Sequence, residues 1–463
     1  MVSLTFYGGV DEIGGNKVLL QDGHTKIWLD FGMSFGQYRR FFEEYMSPRT
    51  KTGLKDFMTM NLVPRIEGLY SPDLLALAGM EAMEPAFDGV LISHPHEDHV
   101  KYVSFLHPDI PVYMGETCLA VREKLEEIGS STIDERICSY KERNPETGRG
   151  DGKTVQRSIK IFKSGEKFSV GNIEIVPMAV DHSIPGAFGF LIYTSAGPIV
   201  YTGDLRLHGR NGHLTQQFVQ KAAKNKPVAL ITEGTRVADV KKETENEQHV
   251  KDTILQQANQ TQGLVIVDYA FKDADRFRTL VQVAHETGRK LIIGTKAAAL
   301  YDLYSKIDEI QTPPIDDENT LIHIKQKTTS HVWERRFIEM DNSTEAEDIG
   351  KNQDQFILGL NQWALNELID IQPGNALYVR SMSEPYNEEM ALDEGRVDNW
   401  IDFFHMQKIR AHCSGHAPGT DLLDIAMQIK AKTVFPIHTE HPEKFEGLPG
   451  DIIFVHVGKT YRI

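Results

Sequence analysis

Hydrophobic and polar positions alternate along the first thirty residues of this chain, with glycines between the alternating runs. Residues 4–7, 17–20 and 26–30 each show the two-residue period of a β-strand that is buried on one face. Gly8-Gly9 and Asp22-Gly23 supply turn chemistry between them. The pattern predicts that the chain opens with a small meander of strands.

Further stretches outside the meander have mixed or charged patterns. Residues 36–85, with arginine and aromatic residues clustered early, predict a partly helical segment and a candidate interaction element. Residues 190–194 and 198–201 flank a glycine-containing turn and predict a hairpin. The charged stretch 141–153 predicts a surface loop, and the run 241–247 predicts a solvated helix face.

Strand and helix patterns alternate after about residue 235. Residues 263–268, 290–294 and 375–380 are apolar runs typical of buried strands, and residues 276–286 and 296–306 have the helical period. Such alternation implies a parallel α/β domain.

Residue types that bind metals occur before this α/β pattern and return near residue 405. The sequence therefore predicts an α/β domain inserted into a β-rich one. Residues 1–208 are the first part of the β-rich domain, 209–404 the insertion, and 405–463 the return segment.

Composition and charge narrow the class of protein. With 40% hydrophobic and 25% charged residues, the 463-residue chain is ordinary for a globular protein. No apolar run approaches the roughly 18 residues of a membrane span, and the first residues resemble a strand and not a secretion signal. The three cysteines form no C-x-x-C pair, which favours a reducing cytoplasm. A formal net charge of −16 argues against non-specific coating of nucleic acid but leaves a nuclease open.

The stretch His94-Pro95-His96-Glu97-Asp98-His99 follows the apolar run 89–93 and carries the strongest chemical signal. Because side chains at i and i+2 of a strand share a face, His94 and His96 can reach one metal ion together. The chain must then turn, which leaves Asp98 and His99 facing a second position. Imidazole and carboxylate ligands suit zinc or a similar divalent ion.

Residues of metal-ligand type also stand at other predicted strand ends, namely His182, Asp204 and His438. Taken singly each signal is weak, because an aspartate after a glycine is more often a turn residue. Together with residues 94–99 they indicate a dinuclear metal hydrolase.

These positions resemble the motifs of a known superfamily. Motifs one to four of the metallo-β-lactamase superfamily are matched by Asp30, the run 94–99, His182 and Asp204. Motifs A, B and C of its β-CASP subgroup are matched by Glu233, His416 and His438. The resemblance implies an α/β fold, a metallo-β-lactamase αββα sandwich with an inserted parallel α/β β-CASP domain. The β-CASP proteins are nucleases of RNA or DNA.

Within that group the sequence is most similar to ribonuclease J. Residues 8–16 are similar to that family's G-G-x-x-E-I-G-x-N opening, and residues 412–417 to its H-x-S-G-H-A. The chain ends 25 residues after His438, as in the shorter archaeal type. Segment 36–85 departs from the bacterial pattern, so the resemblance implies no role for it.

The resemblance also implies two divalent metal ions, zinc with manganese as the alternative. The first ion's ligands are His94, His96, His182 and Asp204. The second ion's ligands are Asp98, His99, His438 and the shared Asp204. Asp30 steers a ligand or the bridging water by a hydrogen bond, so it counts with Asp98, His416 and Glu233 among the catalytic residues.

The implied reaction is 5′→3′ degradation of single-stranded RNA that carries a 5′ monophosphate. Two ions lower the pKa of the water between them, and the resulting hydroxide attacks the phosphodiester. His416 is the candidate acid for the leaving 3′ oxygen, with Glu233 keeping it charged and oriented. The alternatives are a turn carboxylate for Glu233 and a loop histidine for His416.

A pocket for the 5′ phosphate would set the direction of attack. Its candidate donors are His412, Ser414, Gly415, His416, Ser381 and Ser383. The alternative for Ser381 and Ser383 is that they only form a turn. Arg276 and Arg278 either line the nucleic-acid path or, as helix residues, pair with carboxylates.

The sequence thus predicts a 5′→3′ exoribonuclease, with an endonuclease side activity left open and with a homodimer implied by the resemblance. The alternative is a β-CASP endoribonuclease of RNA processing. A DNA nuclease is less favoured. A small-molecule metallohydrolase lacks motifs A to C, and a silent RNA-binding subunit would not keep every ligand.

Overall fold

The computed structural model describes residues 1–43, 45–129, 136–239, 246–383 and 388–463, with the backbone alone at 388–391. The chain divides into two compact units. Unit 1 comprises Met1–Leu207, Asn211–Lys242 and His416–Ile463, and unit 2 comprises His208–Arg210 and Glu243–Gly415. Most of unit 2 is thus inserted in sequence between two parts of unit 1. The domain boundaries expected at residues 208 and 404 remain a proposal, and positions 241–245 of the predicted helix face lie outside the described residues.

The strands are numbered in chain order. They are β1 Val2–Gly8, β2 Lys17–Asp22, β3 Thr25–Leu29, β4 Gly89–Leu91, β5 Val112–Gly115, β6 Ser139–Arg143, β7 Gly150–Gln156, β8 Ile159–Phe162, β9 Phe168–Val170, β10 Ile173–Ala179, β11 Phe188–Thr194, β12 Gly197–Tyr201, β13 Ala229–Glu233, β14 Val265–Tyr269, β15 Lys290–Gly294, β16 Thr320–His323, β17 Ser343–Thr344, β18 Phe356–Gly359, β19 Leu377–Ser381, β20 Gln407–Arg410, β21 Thr433–Ile437, β22 Asp451–Ile452 and β23 Thr460–Arg462.

The helices are numbered in the same way. They are α1 Phe35–Arg39, α2 Lys55–Thr59, α3 Pro72–Leu77, α4 Glu97–Val100, α5 Glu116–Ile128, α6 Gly212–Lys224, α7 Glu247–Gln260, α8 Ala274–Thr287, α9 Thr295–Tyr304, α10 Arg335–Ile338, α11 Ala346–Lys351, α12 Leu368–Ile371, α13 Glu388–Phe403 and α14 Gly419–Ile429. Turns of 3₁₀ helix occupy Thr50–Thr52, Lys101–Phe105, Val332–Glu334, Gln353–Gln355, Gln362–Glu367 and Pro442–Phe445.

Unit 1 is built on two seven-stranded sheets. The first has the order β23-β1-β2-β3-β4-β5-β8, and the second has the order β22-β21-β13-β12-β11-β10-β9. Their facing sides share one buried core, in which the rings of Phe6 and Phe435 lie 5.5 Å apart. Side chains at alternate positions of each strand fill this core, as the period of two requires.

Helices cover the outer side of each sheet. Cys118 of α5 packs in the cluster outside the first sheet. Phe218 of α6 and Ile425 of α14 pack outside the second sheet. The four layers confirm the αββα sandwich that the resemblance implied.

Several local predictions are confirmed in unit 1. The opening meander is antiparallel from β1 through β3. The hairpin of β11 and β12 closes with Thr194 opposite Gly197. The segment 36–85 is partly helical, since it contains most of α1 and all of α2 and α3.

The surface loop expected at residues 141–153 is wrong in part, because this stretch belongs to the antiparallel hairpin of β6 and β7. Lys141 lies opposite Thr154, and Arg143 opposite Gly150, with an irregularity between them. Nearly every side chain of β7 is exposed. A strand that is polar on both faces shows no hydrophobic period, so the sequence pattern could not reveal it.

Unit 2 is a parallel α/β structure, as predicted. Its seven strands have the order β17-β16-β15-β18-β14-β19-β20, and every neighbouring pair is parallel. Helix α8 ends where Gly288 adopts a left-handed conformation with φ of 68°. Among the described residues of the whole chain, no helix is both long and apolar enough to cross a bilayer.

Candidate metal centre

Parallel strands of the first sheet bring two candidate residues to one edge. β3 and β4 are parallel with Leu29 opposite Leu91, so Asp30 and His94 follow neighbouring strand ends. The backbone of Asp30 has a φ of 56°, which turns its carboxylate away from the strand. His94 and Asp30 are both fully buried.

Parallel strands of the second sheet bring three more candidate residues to one edge. β13 lies between β12 and β21 and is parallel to both. Asp204 follows β12, Glu233 ends β13 and His438 follows β21, so all three stand at the carboxyl edge of one sheet. His182 follows β10, which is antiparallel to β11.

Three imidazoles converge at one point of this edge. His96 Nδ1 lies 3.1 Å from His94 Nε2 and 3.0 Å from His182 Nε2. The three side chains form one set whose ligand atoms all lie within 4.8 Å of one another. The sequence named these three residues for the first ion.

A second set comprises Asp98, His99, Asp204 and His438, again within 4.8 Å. His438 Nε2 lies 3.2 Å from Asp98 Oδ2, and His99 Nε2 lies 3.8 Å from it. Asp98 and His99 belong to the first turn of α4, for which His96 is the N-cap. A helical turn thus supplies the change of direction that the sequence required.

The Asp204 carboxylate lies between the two sets. Its Oδ2 atom is 3.6 Å from His94 Nε2, 3.1 Å from His99 Nε2 and 3.6 Å from His438 Nε2. A carboxylate in that position can serve both sets, as the resemblance implied.

The charge state of these groups suits a cation. Burial and the neighbouring imidazoles lower the pKa of His94 and of His182 well below the usual value, so each ring is neutral and has a lone pair to offer. Burial would also lower the pKa of His99, but the carboxylates of Asp204, Asp98 and Asp30 raise it well above its usual range. The carboxylates therefore create a negative potential that favours positive charge at this point.

A buried polar atom without a hydrogen-bond partner also indicates a site for a cation. Asp204 Oδ1 is buried and has no hydrogen-bond partner among the described residues. Buried polar atoms without partners are costly unless an ion or water satisfies them. Ligands about 2.0–2.1 Å from a tetrahedral zinc ion lie roughly 3.3 Å from one another, which is close to the separations seen here. The residues present fit divalent metal ions.

Hydrogen bonds behind the ligands orient them. Asp30 Oδ2 accepts from His99 Nδ1 at 2.7 Å and from the Tyr201 hydroxyl at 2.6 Å. Ser93 Oγ donates to the same oxygen and lies 3.0 Å from His94 Nδ1. With Nδ1 engaged, each ring directs Nε2 at the metal position. The sequence predicted this for Asp30 but gave no role to Ser93 or Tyr201.

Glu233 and His416 form the second pair singled out by the sequence. His416 Nδ1 donates to Glu233 Oε2 at 3.0 Å, and Glu233 Oε1 accepts from the Leu205 amide at 2.7 Å. Burial would lower the pKa of His416, but the carboxylates of Glu233 and Asp204 raise it to about 9. His416 also joins His182 and Asp204 in a third set of closely spaced ligand atoms.

Thr235 connects this pair to the second ligand set. Its hydroxyl donates to Glu233 Oε2 at 2.7 Å and lies 2.8 Å from His438 Nδ1. The imidazole can donate to the hydroxyl only through Nδ1, which leaves Nε2 to bind a metal. The sequence showed Thr235 beside Glu233 but offered no sign that it contacts His438.

The glycines of the opening motif permit a close backbone approach. A Cβ at Gly14, where φ is 83°, would lie 2.8 Å from Asp98 Cβ. The Asn16 amide donates to the Asp98 carbonyl, and the His438 amide donates to the Gly9 carbonyl. The motif in residues 8–16 therefore supports two candidate ligands from behind.

Of the candidates for the phosphate pocket in unit 2, His412 and Ser381 are in direct contact. Ser381 is buried, and its hydroxyl donates to the Ala411 carbonyl at 2.5 Å. His412 Nδ1 donates to the Ser381 carbonyl at 3.1 Å. The Ser414 carbonyl accepts from His208 Nε2 at 2.8 Å, and Ser383 is exposed. Burial and the nearby Arg276 lower the pKa of His412 to about 3, so this ring is neutral.

Arg276 and Arg278 are engaged within unit 2. Arg276 Nη2 lies 2.9 Å from Glu247 Oε1, and both side chains are buried. Arg276 Nη1 donates to the carbonyl and the hydroxyl of Ser381. Arg278 pairs with Asp275. The sequence left open whether these arginines line a nucleic-acid path or pair with carboxylates. Both pair with carboxylates.

Comparisons with known proteins agree with this geometry. The family model described as the beta-lactamase superfamily domain matches residues 71–222. The chain is similar to ribonuclease J of Sinorhizobium meliloti, with 22% identity over 94% of this chain and 68% of that protein. It is also similar to ribonuclease J of Helicobacter pylori J99, with 23% identity over 95% of this chain and 56% of that protein. For ribonuclease J of Pyrococcus abyssi the identity is 24% over 65% of this chain and 60% of that protein.

The chain therefore spans a little over half to about two thirds of the length of these curated relatives. Among solved structures, a protein of unknown function from Enterococcus faecalis V583 has a TM-score of 0.76 at 21% identity, over 99% of both chains. The two proteins therefore share their fold over essentially the whole chain.

Proposed function

We propose that this chain is a metal-dependent ribonuclease of the metallo-β-lactamase superfamily and, within it, of the β-CASP ribonuclease J family. More specifically, we propose that it degrades single-stranded RNA with a 5′ monophosphate in the 5′→3′ direction. One observation carries the proposal. The Asp204 carboxylate lies between the two ligand sets, and the His416–Glu233 pair lies directly beside them.

The ligand sets divide between two divalent ions. His94, His96, His182 and Asp204 would hold one ion. Asp98, His99, His438 and the shared Asp204 would hold the other. When bound, such ions neutralise phosphate oxygens and lower the pKa of a coordinated water. The nitrogen and oxygen donors suit zinc, with manganese as the alternative.

His416 supplies the proton that the leaving 3′ oxygen needs. With a pKa of about 9, its ring is protonated at neutral pH. Glu233 accepts the Nδ1 proton, so the Nε2 proton is the one to be transferred. The pair of hydrogen bonds from Leu205 and Thr235 keeps the Glu233 carboxylate in place for this role.

Recognition of the 5′ phosphate is assigned to Ser381, Ser383, His412, Ser414 and Gly415 of unit 2. The neutral His412 donates through Nδ1 to Ser381, which leaves Nε2 as an acceptor. His412 can donate to a phosphate through Nε2 only if it takes up a proton, and the anion itself favours that uptake. A triphosphate is larger and more charged, so we expect this pocket to disfavour it.

Two further proposals concern the assembly and the location of the protein. A homodimer is carried over with the resemblance. A cytoplasmic location is inferred from cysteine usage, and Cys118, Cys138 and Cys413 are all free thiols.

Digestion of one RNA sequence with three different 5′ ends tests the proposal. The full chain, loaded with zinc or manganese, is incubated with RNA that ends in a hydroxyl, a monophosphate or a triphosphate. We expect mononucleotides from the monophosphorylated RNA and much slower release from the triphosphorylated one. DNA of the same sequence is the control for the sugar. Internal cuts that do not depend on the 5′ group would instead indicate an endoribonuclease.

A further inference from the structure

Two neighbouring segments of unit 1 are basic, although the chain as a whole is acidic. Residues 35–55 carry five lysines and arginines against two glutamates. Residues 139–163, which include the β6–β7 hairpin, carry seven against three acidic residues. The formal net charge of the chain is −16. Positive potential is therefore concentrated where these segments lie.

The two segments form one surface. The turn of the hairpin packs against the first segment so closely that a Cβ at Gly148 would lie 2.7 Å from Lys51 Cα. At the base of the hairpin, Arg143 pairs with Asp73 at 3.4 Å, and the Tyr140 hydroxyl lies 3.2 Å from Ser71 Oγ. The hairpin is thus held in place beside the region that follows α1.

Some cations of this surface have structural duties and others do not. Arg49 pairs with Asp56 at 2.6 Å, and the buried Arg157 donates to backbone carbonyls. Other cations are exposed and have no ion pair among the described residues. They include Lys51, Lys141, Arg149 and Lys153. Uncompensated charges of one sign on a surface are available to a ligand of the opposite sign.

Exposed aromatic rings lie in the first of these two segments. The Tyr45 residue is 99% exposed, and Phe41 is 38% exposed. The Arg40 guanidinium lies 5.8 Å from the centre of the Phe41 ring. Proteins hold single-stranded nucleic acid with aromatic rings, on which bases stack, and with cations, which contact phosphates. This surface carries both kinds of side chain.

This surface begins at the rim of the candidate metal centre. The Met33 amide donates to the carbonyl of Glu97, which precedes Asp98. The next residue, Ser34, donates to Glu12 and caps α1. The chain passes from there directly into the segment that carries Phe41 and Tyr45.

We propose that Lys51, Lys141, Arg149, Lys153, Phe41 and Tyr45 form a basic–aromatic patch that binds single-stranded RNA at a distance from the scissile bond. The proposal rests on the proposed ribonuclease function and adds a second point of attachment for longer strands. A second copy of the chain is the competing occupant. A two-fold symmetric contact would place the patch against itself, and its like charges would repel, so the charge favours RNA.

The test compares two charge-matched triple variants of the full, metal-loaded chain. The patch variant carries Lys51→Ala, Arg149→Ala and Lys153→Ala. The control variant carries Lys224→Ala, Lys432→Ala and Lys444→Ala, which remove three exposed lysines of unit 1 outside the patch. Tyr45→Ala tests stacking alone. Substrates are monophosphorylated RNAs of about 5 and about 25 nucleotides, which bracket the ~4–16 nucleotides of typical single-strand sites.

We expect the patch variant to raise KM for the long RNA and to leave the short RNA unchanged. Each lost phosphate contact removes roughly 0.7 from the slope of log affinity against log salt, so three should lower it by about 2. Tyr45→Ala should weaken long-RNA affinity at least about five-fold. The control variant should behave as the unsubstituted chain, and circular dichroism checks that all variants are folded.

Equal KM and salt slope for patch and control variants on the long RNA would overturn the proposal. So would a change of oligomeric state, by light scattering, confined to the patch variant with RNA cleavage intact, since the face would then serve a second copy. If the unsubstituted chain cleaves neither RNA, the proposed function fails and the patch fails with it. That outcome is distinct, because it appears before any substitution is made.

Discussion

At the scale of single residues, His416 lies where two chemical roles meet. Its Nδ1 atom bonds to Glu233, which suits an acid, yet its ring also lies among His182 and Asp204, which suits a ligand. We favour the acid because the ligand sets are complete without it. His416→Ala should then lower kcat by about 10²–10⁴-fold and leave the bound metal unchanged. Single-turnover rates and elemental analysis of one preparation check both.

His441 offers a control for this prediction. It is exposed and pairs with Glu443 at 3.3 Å, so His441→Ala should change neither rate nor metal content. Loss of a metal ion from the His416→Ala variant would assign His416 to the ligands and contradict its role as the acid.

Tyr201 is a residue whose effect should pass entirely through others. Its hydroxyl donates to Asp30, and Asp30 in turn accepts from His99. Tyr201→Phe keeps the ring and removes one hydrogen bond from the carboxylate. Metal affinity should fall by about 10-fold or more, as is typical for groups behind the ligands. Tyr193→Phe, which removes a hydrogen bond to Asn225 at the partly exposed end of β11, should leave it unchanged. Equal affinities for both variants in a competitive chelator titration would contradict this account.

The clustering of the candidate ligands could be predicted from sequence because imidazole and carboxylate residues at strand ends are a local pattern. Tyr201 and Thr235 could not, because their hydroxyls meet Asp30 and His438 only after distant strands are paired. A hydroxyl at a strand end has no distinctive spacing, so these contacts depend on tertiary structure.

At the scale of elements, the buried strands were the most predictable part of the fold. The strands β14, β15 and β19 are mostly apolar, and the sequence predicted them close to their observed bounds. The β6–β7 hairpin was not found, since its strands are exposed and their residues are held by backbone pairing. Its tip also packs on Lys51, a contact that no local pattern contains.

The Glu247–Arg276 pair links α7 to α8 within unit 2, and its stability depends on pH. Burial would raise the pKa of Glu247, but Arg276 lowers it to about 2, below its ordinary 4.5. The lowered pKa contributes stability that is full above about pH 4.5 and is lost as the pH falls toward 2. Glu247→Gln should destabilise the protein by about 3–5 kcal/mol at neutral pH, because it leaves Arg276 buried and unpaired.

Denaturant unfolding at several pH values measures this effect. The difference between the unsubstituted chain and Glu247→Gln should shrink as the pH falls below 4.5. Glu347→Gln is the matched control, since Glu347 pairs with Lys351 on an exposed helix face and should matter little. A difference that is constant from pH 7 to about pH 3 would contradict the assigned pKa.

At the scale of the whole molecule, the candidate metal centre joins residues that lie far apart along the chain. His94 and His438 belong to one edge of unit 1, yet most of unit 2 is encoded between them. The insertion was predictable because its strand and helix pattern differs from that of the flanking sequence. The sequence indicated segment 36–85 as a candidate interaction element, but its contact with the β6–β7 hairpin depends on tertiary structure and could not be predicted.

The most direct test of the account is RNA cleavage by the His94→Ala/His96→Ala double variant, with metal content measured on the same sample. We predict that this variant loses bound metal and releases no nucleotides from monophosphorylated RNA. His24→Ala/His441→Ala, which removes two exposed imidazoles, should retain both properties. Undiminished cleavage by the His94→Ala/His96→Ala variant would show that the reaction does not occur at this centre.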